Sequence, residues 1–331
     1  MTLDTISVCI ATHDRAELLA ATLECVGRQT EPPAEVLVSE FAQRPSGRRI
    51  VESFAAEHPE VKVRYLPAER RSLPWHRWWA FSHSSGSVAL FMDDDIELHP
   101  RALEMLKTTY ADMAAAGRQV DGVGFVIAWS GGGAQERSRF SRREKWLRIH
   151  GAEPGTVTAG GITVSLAGFA GTDPEPVEVL SGGAMSYRRE ILEKVGCLKN
   201  LVALYDSGMG RGEDAVLSFY ARKCGGQLFA LPGEWTFHPR ERQGARPYAA
   251  DGWRLGMAHT WGRAHTMRWM ATARNAYCQE WGRLAILELA RSAAGIAASP
   301  LDGQRWKRIG GAFWGIGRSL VHWRQIPADA H

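Results

Sequence analysis

The sequence predicts an α/β fold with a mostly parallel central sheet, followed by a helical C-terminal region. In the first hundred residues, short apolar runs alternate with segments of helical length, an order typical of parallel β-α-β units. The first of these runs, residues 6–11, has the composition expected of a strand that is buried on both faces. From residue 249 onward the sequence has the character of helices.

The expected elements follow in order along the chain. Strands are expected at residues 6–11, 35–39, 61–66, 87–92 and 120–129, and helices are expected to begin near residues 14, 46, 74 and 99. Asp14 and Glu17 have the spacing of a capping box, which predicts the start of the first helix. Two short strands are expected at residues 227–231 and 234–237, and a mobile glycine-rich loop at residues 130–143.

Composition and charge narrow the class of protein. The chain has 331 residues, which allows one large catalytic unit with an appendage. The net charge is only +4 and the basic residues form no long run, so no nucleic-acid partner is expected. Five scattered cysteines without a CxxC pair argue against a disulfide framework or zinc knuckle. With no signal peptide or apolar run of about 18 residues, we expect a cytoplasmic protein.

Acidic and imidazole side chains follow the ends of the predicted strands. His13, Glu40 and the Asp93–Asp95 cluster stand there, and ligands of parallel sheets bind beyond the carboxyl ends of strands. Three adjacent carboxylates repel one another, so a bound cation is expected, and oxygen ligands suit Mg²⁺ or Mn²⁺. The alternative is an acidic cluster that a helix N-terminus stabilises without any metal.

A second acidic pair, Glu213 and Asp214, stands at the expected start of a helix. One interpretation is helix capping, and the other is a general base that accepts a proton from a substrate hydroxyl. His238 follows a predicted strand, where it is either structural or completes a metal shell. The first strand is followed by ATHDR, and GxGxxG and GxxxxGK[ST] are absent, so no nicotinamide site or P-loop is expected.

The order of these motifs resembles family 2 glycosyltransferases, a GT-A-fold family that includes many bacterial polysaccharide and cell-wall sugar transferases. The resemblance covers roughly residues 5–240. It is carried by SVCIATHDRAELLAATLECVGRQTEPPAEVLV, by the spacing of residues 74–86, and by ALFMDDDIELHP, LSGGAMSYRREILEKVGC and GRGEDAVLSFYARKCGGQLFALP. Two positions depart from the family pattern: Ser39-Glu40-Phe41-Ala42 replaces an Asp-Asp-Gly-Ser turn, and Trp78 stands where the family favours asparagine.

The resemblance implies roles for particular residues. Asp214 is the expected catalytic base with Glu213 beside it on the acceptor side, and the mechanism is expected to be inverting. A Mn²⁺ or Mg²⁺ ion is expected on Asp93, Asp95 and His238. The residues expected to contact the nucleotide sugar are Thr12, His13, Arg15, Glu40, Arg77, Asp93 and Asp94.

The expected function is therefore transfer of a sugar from a nucleotide-diphosphate donor to a glycan or lipid-linked glycan. Residues 1–248 form the expected catalytic domain, with residues 1–100 as its nucleotide half and 101–248 as its acceptor half. Two alternatives remain. A sugar nucleotidyltransferase would need a glycine-rich, arginine-bearing loop after the first strand, and a non-catalytic binding subunit is supported only by the altered turn at residues 39–42.

The C-terminal region, residues 249–331, lies beyond the resemblance. Trp306, Ile309, Phe313, Ile316 and Leu320 recur at helical spacing, with basic residues nearby. This pattern predicts one of two arrangements: an amphipathic helix on the inner face of the cell membrane, or a helix packed on the catalytic domain. We favour packing on the catalytic domain. The glycines of this segment weaken it as an independent helix.

Overall fold

The computed structural model describes most of the chain. The described residues are 4–42, 47–129, 154–157, 166, 171–238, 251–270 and 300–331, with scattered residues between 278 and 297. The loop expected at residues 130–143 lies outside the described residues.

The strands are β1 (Ile6–Thr12), β2 (Glu35–Glu40), β3 (Lys62–Pro67), β4 (Val88–Asp93), β5 (Glu97–Leu98), β6 (Gly122–Trp129), β7 (Glu175–Pro176), β8 (Ala184–Arg188) and β9 (Leu228–His238). The helices are α1 (Ala16–Gly27), α2 (Gly47–Glu57), α3 (Leu73–His83), α4 (Ala102–Ala115), α5 (Arg189–Val195), α6 (Lys199–Asp206), α7 (Glu213–Lys223), α8 (Gly252–Met257), α9 (Arg263–Met270) and α10 (Gly303–Val321). A π-helical turn, Ala258–Gly262, joins α8 to α9.

The strands form one mixed sheet in the order β3-β2-β1-β4-β8-β6-β9-β5, with β7 also paired to β9. β1 is parallel to β2 and β4, and β6 is parallel to β9. β8 runs antiparallel to both β4 and β6, so it joins two parallel groups into a continuous sheet. The expected mostly parallel sheet is confirmed, and the carboxyl ends of β1, β2, β4 and β9 face the same edge.

Helices cover both faces of this sheet. Val8 and Ile10 of β1 pack into a core with α1, α2 and α4, whereas Cys9 between them packs into a second core with α3, α5, α6 and α7. Because side chains alternate along a strand, both faces of β1 are apolar. This three-layer arrangement explains the short apolar runs of the first hundred residues.

Two local expectations are wrong. Asp14 adopts a left-handed conformation (φ 51°), and Arg15 occupies the N-cap of α1 without a side-chain cap bond, so the capping box does not form. The two short strands expected at residues 227–231 and 234–237 are a single strand, β9. Its pairing with β6 shifts register at Phe125 and Ile127, which accommodates extra residues of β9 around Gly233.

The C-terminal helices pack on one another and on the sheet domain. A Cβ at Gly256 would overlap the carbonyl oxygen of Arg308, and one at Gly311 would overlap that of Trp253, so glycine lets α8 and α10 approach closely. The chain end returns to the sheet domain, where Tyr220 Oη accepts from the Ala330 N–H over 2.8 Å. Within the described part of the chain, no helix is both long and apolar enough to cross a membrane.

Candidate active site

The acidic cluster lies in the turn after β4, and its three carboxylates have different surroundings. The Asp94 side chain is fully buried, accepts a 2.6 Å hydrogen bond from Thr12 Oγ1, and pairs with Arg15. Arg15 also lies 3.1 Å from Asp95 Oδ2. Burial raises the pKa of Asp94 to about 7, although Arg15 and Thr12 oppose this shift. Asp94 and Thr12 thus link the ends of β4 and β1 and face away from solvent.

Three of the residues expected at the donor site have partners inside the protein. Asp94 and Thr12 were expected to contact the nucleotide sugar. In the structure both are buried, and the Asp94 carboxylate contacts Thr12 through one oxygen and Arg15 through the other. The Glu40 carboxylate is also used internally, because it accepts from Tyr65 Oη at 2.8 Å and from the Gly47 N–H at 3.3 Å. Glu40 therefore links the start of α2 to β3. These contacts do not support its expected contact with the nucleotide sugar.

Arg77 connects the acidic turn to the second acidic pair. Its Nη2 donates to Asp93 Oδ1 at 3.1 Å and to the Gly182 carbonyl at 2.7 Å, and its Nη1 donates to Glu213 Oε1 at 3.1 Å. The side chain is only 4% exposed. Burial raises the pKa of Asp93, and the adjacent Arg77 guanidinium opposes that rise. One buried cation therefore joins the end of β4 to the start of α7.

The other oxygen of Glu213 is held by Tyr205. Tyr205 Oη donates to Glu213 Oε2 and accepts from the Glu213 N–H at 3.3 Å. A Cβ at Gly210 would overlap the Tyr205 ring, so the glycine loop after α6 closes directly over that ring. Burial raises the pKa of Tyr205 well above its usual range, which keeps the phenol protonated as a donor.

Asp214 follows Glu213 in the first turn of α7, and among the described residues its carboxylate forms no ion pair. Its Oδ1 accepts from the Ala215 N–H at 2.8 Å, and it also lies against Gly182, the residue whose carbonyl binds Arg77. Burial, followed by the like charge of Glu213, raises the pKa of Asp214 to about 6. A carboxylate whose pKa approaches neutrality is a stronger base than an ordinary aspartate.

Asp95 and His238 lie together at the ends of the acidic turn and of β9. His238 Nε2 is 3.6 Å from Asp95 Oδ1, and both side chains are mostly buried. A carboxylate oxygen beside an imidazole nitrogen is a donor set that suits Mn²⁺. Asp93, the third expected ligand, faces Arg77. Among the described residues no three metal-binding side chains converge, so an ion here would need further oxygens from a ligand.

Two features flank this centre. His13 Nδ1 lies 2.5 Å from the Phe41 carbonyl oxygen, and their rings are 5.4 Å apart, which forms an aromatic edge beyond β1 and β2. On the other side, Trp78 lines a largely apolar cavity whose wall includes Arg77 and Glu213. The aromatic departure from the family pattern at residue 78 therefore shapes the surroundings of the ion-pair network.

Most of the expected site residues converge in this region. Arg77, Asp93 and Glu213 form one connected group, and Asp95, Arg15 and His238 form another beside it. Tyr205 was not among the site residues predicted from the sequence. Its only sequence signal is the glycine loop between α6 and α7, which returns the chain so that residue 205 faces residue 213.

Comparisons with solved structures agree with this architecture. The mannosyltransferase PcManGT from Pyrobaculum calidifontis, solved with GDP-Man and Mn²⁺, is 16% identical with a TM-score of 0.57, covering 96% of this chain and 87% of that one. S. aureus TarS 1–349 with UDP-GlcNAc is 14% identical with a TM-score of 0.53, covering 98% and 82%. GalNAc-T7 with UDP, GalNAc and Mn²⁺ is 18% identical with a TM-score of 0.54, covering 98% and 59%.

At these identities the similarity establishes the GT-A fold and no more than the fold. No curated protein matches the sequence. The family description "Glycosyl transferase family 2" matches residues 7–196, which is more than half of the chain and includes β1–β4, the acidic turn and Arg77. The chain therefore belongs to glycosyl transferase family 2.

Proposed function

We propose that the protein transfers a sugar from a nucleoside-diphosphate donor to an acceptor hydroxyl with inversion at the anomeric carbon. The observation that carries this proposal is the Arg77 bridge, which brings Asp93 and the Glu213–Asp214 pair to one place. A transferase needs donor-binding and proton-accepting groups on either side of the reacting carbon. The bridge supports such an arrangement between the end of β4 and the start of α7.

Asp214 is the proposed catalytic base. It takes the proton from the acceptor hydroxyl as that oxygen forms a bond to the anomeric carbon. The bond between the anomeric carbon and the phosphate oxygen breaks in the same step, and the nucleoside diphosphate leaves with the bonding electrons. Support comes from the position of Asp214 beside Gly182 and from its raised pKa.

Glu213 is the proposed positioning residue beside this base. Its carboxylate is divided between Arg77 and Tyr205, so it is not free to accept a proton from substrate. Its negative charge also raises the pKa of Asp214. Arg77 would then act through Asp93 and Glu213, and the expected direct contact between Arg77 and the donor is not needed for this role.

On the donor side, His13, Arg15 and Asp93 are the proposed contacts with the nucleotide sugar. Arg15 is partly exposed at the edge of the acidic turn, where its guanidinium suits a phosphate oxygen. Asp95 and His238, with Asp93, would hold Mn²⁺ or Mg²⁺. Such an ion supplies charge that neutralises the diphosphate leaving group. PcManGT and GalNAc-T7, both solved with Mn²⁺, support the proposal of a divalent cation.

The proposed acceptor is a glycan or a lipid-linked glycan, used in the cytoplasm at the inner face of the cell membrane. In this proposal residues 1–100 bind the donor, residues 101–248 bind the acceptor, and residues 249–331 form a helical extension. The apolar cavity beside Glu213 and Trp78 supports an acceptor side with a non-polar wall.

Donor hydrolysis and transfer across a panel of nucleotide sugars test the proposal. We expect one donor to be hydrolysed slowly in the absence of acceptor, with release of the nucleoside diphosphate and retention of its diphosphate bond. Release of pyrophosphate from a nucleoside triphosphate and a sugar phosphate would instead identify a nucleotidyltransferase. Binding of a donor without any turnover, with an acceptor-lipid extract present, would identify a non-catalytic subunit and contradict the proposal.

A further inference from the structure

Exposed apolar side chains are concentrated in the C-terminal helices. Among the residues that the structure describes, the large hydrophobic side chains with substantial exposure all lie after residue 250: Trp253, Ile286, Leu289, Leu301, Trp306, Phe313, Trp314, Leu320 and Val321. Isolated apolar residues on a surface are ordinary, whereas a concentration of them marks an interaction surface. Five of these residues belong to α10.

The two faces of α10 differ in composition and in contacts. Gly311 and Gly315 lie on the buried face, against α8 and the π-helical turn, where a Cβ would overlap Trp253 and Thr260. Trp306, Phe313 and Leu320 recur every seven residues, so they lie along one exposed stripe. The tight glycine packing fixes the rotation of the helix. The side chains of the exposed stripe are therefore oriented away from α8.

The charge of this region differs from that of the rest of the chain. Residues 251–331 contain eleven Lys and Arg against five Asp and Glu, a net charge of +6, whereas residues 1–250 have a net charge of −2. Within α10 there are four basic side chains and no acidic one. Arg318 lies over the Trp314 ring, 5.0 Å from its centroid, so an aromatic and a basic group stand together at the edge of the apolar stripe.

We propose that this face of α10, defined by Trp306, Phe313, Trp314, Leu320 and Val321, binds an anionic membrane surface. An amphipathic helix with aromatic and aliphatic residues on one face and lysine or arginine beside them lies in the interface plane of a bilayer. The apolar stripe enters the boundary between headgroups and acyl chains, and the basic residues contact anionic headgroups. The four basic side chains of α10, with no acidic residue in that helix, complement the charge of an anionic membrane surface.

The membrane face is connected to the candidate active site by packing. Thr266 of α9 donates to the Arg211 carbonyl over 3.1 Å, and Gly262 packs directly against the Met209 backbone. Residues 209 and 211 belong to the loop that leads into Glu213. If the proposed transfer reaction is correct, a lipid-linked acceptor in the same membrane would approach the base from this side. The membrane proposal itself does not depend on that reaction.

Co-sedimentation of the full chain with lipid vesicles tests the proposal. The vesicles contain either phosphatidylcholine alone or equal parts of phosphatidylcholine and phosphatidylglycerol. We expect sedimentation with the anionic vesicles, weaker binding at high salt because exposed charges are screened, and little binding to the neutral ones. Brominated lipid should quench tryptophan fluorescence in the bound protein, and Trp306→Phe should reduce that quenching.

Paired variants separate the apolar and the electrostatic contributions. Phe313→Ser with Leu320→Ser should reduce vesicle binding at least tenfold while thermal melting stays unchanged, since both side chains are about half exposed. Lys307→Gln with Arg318→Gln should weaken binding to anionic vesicles by about fivefold for each charge removed. The matched control removes two exposed arginines of the sheet domain, Arg28→Gln with Arg48→Gln, and should leave binding unchanged.

Two outcomes would overturn the proposal. The first is a protein that sediments with neither the neutral nor the anionic vesicles, or a Phe313→Ser, Leu320→Ser variant that sediments as fully as the unaltered chain. The second is a concentration-dependent dimer, seen by analytical ultracentrifugation, that this same variant abolishes, because the face would then bind a second copy of the chain. Donor hydrolysis is measured on the same preparations, so failure of membrane binding and failure of the proposed transfer reaction are distinguished.

Discussion

Arg77 and Glu213 are 136 residues apart in the chain, yet Arg77 Nη1 donates to Glu213 Oε1 over 3.1 Å. The second terminal nitrogen of the same guanidinium donates to Asp93. The start of α7 is therefore held to the end of β4 through one buried side chain. Removing one partner of a buried cation costs folding free energy. A substitution at Asp93 or at Glu213 should therefore also affect the residue at the other end of the bridge.

Asp214→Asn tests the proposed base. The amide keeps the shape of the side chain but cannot take a proton, so turnover should fall by about 10²–10⁴-fold. Donor and metal affinity should remain near normal, and thermal melting should change little because the Ala215 N–H can still donate to the amide oxygen. Turnover, calorimetric donor binding and melting are measured on one preparation.

The matched control for this variant is Glu190→Gln. Glu190 is an exposed acidic residue in the first turn of α5, so it shares only the favourable interaction of a carboxylate with a helix N-terminus. It should retain full activity. If Asp214→Asn turns over normally, Asp214 is not the base, and the tyrosine-bound Glu213 would have to be tested in its place.

The pH profile should reflect the raised pKa of Asp214. A general base works only when ionised, so kcat should decline as the pH falls through about 6. Glu213→Gln removes the like charge that helps to raise this pKa, while Arg77, which lowers it, remains. The acidic limb of the profile should therefore move to lower pH in that variant. An acidic limb that stays in place, or moves upward, would contradict the proposed coupling of the two carboxylates.

Tyr205→Phe tests the positioning of Glu213. The Glu213 carboxylate would lose one donor in a partly buried position, which typically costs about 1–3 kcal/mol of stability. Turnover should fall roughly tenfold, equivalent to about 1.4 kcal/mol of activation free energy. The acidic limb of the pH profile should also shift, which loss of stability alone would not cause.

A second tyrosine supplies the control. Tyr65 donates to Glu40 at 2.8 Å, so Tyr65→Phe removes another partly buried tyrosine–glutamate hydrogen bond at a distance from the proposed base. It should show a similar loss of stability with no shift of the acidic limb. Equal pH profiles for the two variants would assign Tyr205 a purely structural role.

The fold was largely predictable because burial on both faces leaves a strong local pattern. Ile6–Thr12 and Glu35–Glu40 are buried along their whole length, and their apolar character is visible without knowledge of their neighbours. The acidic cluster was predictable for the same reason, since it directly follows such a strand. β9 was harder, because its continuity past Gly233 depends on pairing with β6 and not on its own residues.

The side-chain contacts within the site were not predictable in the same way. The Asp94 carboxylate faces Thr12, which lies 82 residues away, and only the parallel pairing of β1 with β4 brings the two together. Tyr205 reaches Glu213 because of the path taken by the glycine loop. Side-chain direction at a strand end depends on tertiary neighbours, and a local pattern of residue types does not specify it.

Removal of Asp95 or of divalent cations should abolish nucleotide binding. Calorimetry should show that nucleoside diphosphate binding requires Mn²⁺ or Mg²⁺ and is lost in chelator, because the diphosphate would lack the ion that offsets its charge. Asp95→Ala should lose both metal and nucleotide while remaining folded. Asp112→Ala, an exposed aspartate of α4, is the control and should bind both normally. Unchanged nucleotide affinity in chelator would contradict the metal assignment.

Two glycines of α10 should respond to alanine in opposite directions. A Cβ at Gly311 would overlap backbone atoms of Trp253, which cannot rotate away, so Gly311→Ala should destabilise the protein by about 1–3 kcal/mol. Gly317 has open space around its Cβ position and lies on the exposed side of the same helix. Gly317→Ala should therefore stabilise by about 0.5–1 kcal/mol, since alanine loses less conformational entropy than glycine in a helix.

Denaturant unfolding of both variants against the unaltered chain measures this difference. The two substitutions add the same methyl group to the same helix, so helix propensity alone predicts that both stabilise. Only the close approach of α10 to α8 makes Gly311 the unfavourable position. If Gly311→Ala were as stable as Gly317→Ala, the two helices would not pack as described. The outward orientation of Phe313 and Leu320 would then lose its structural basis as well, because that packing fixes the rotation of α10.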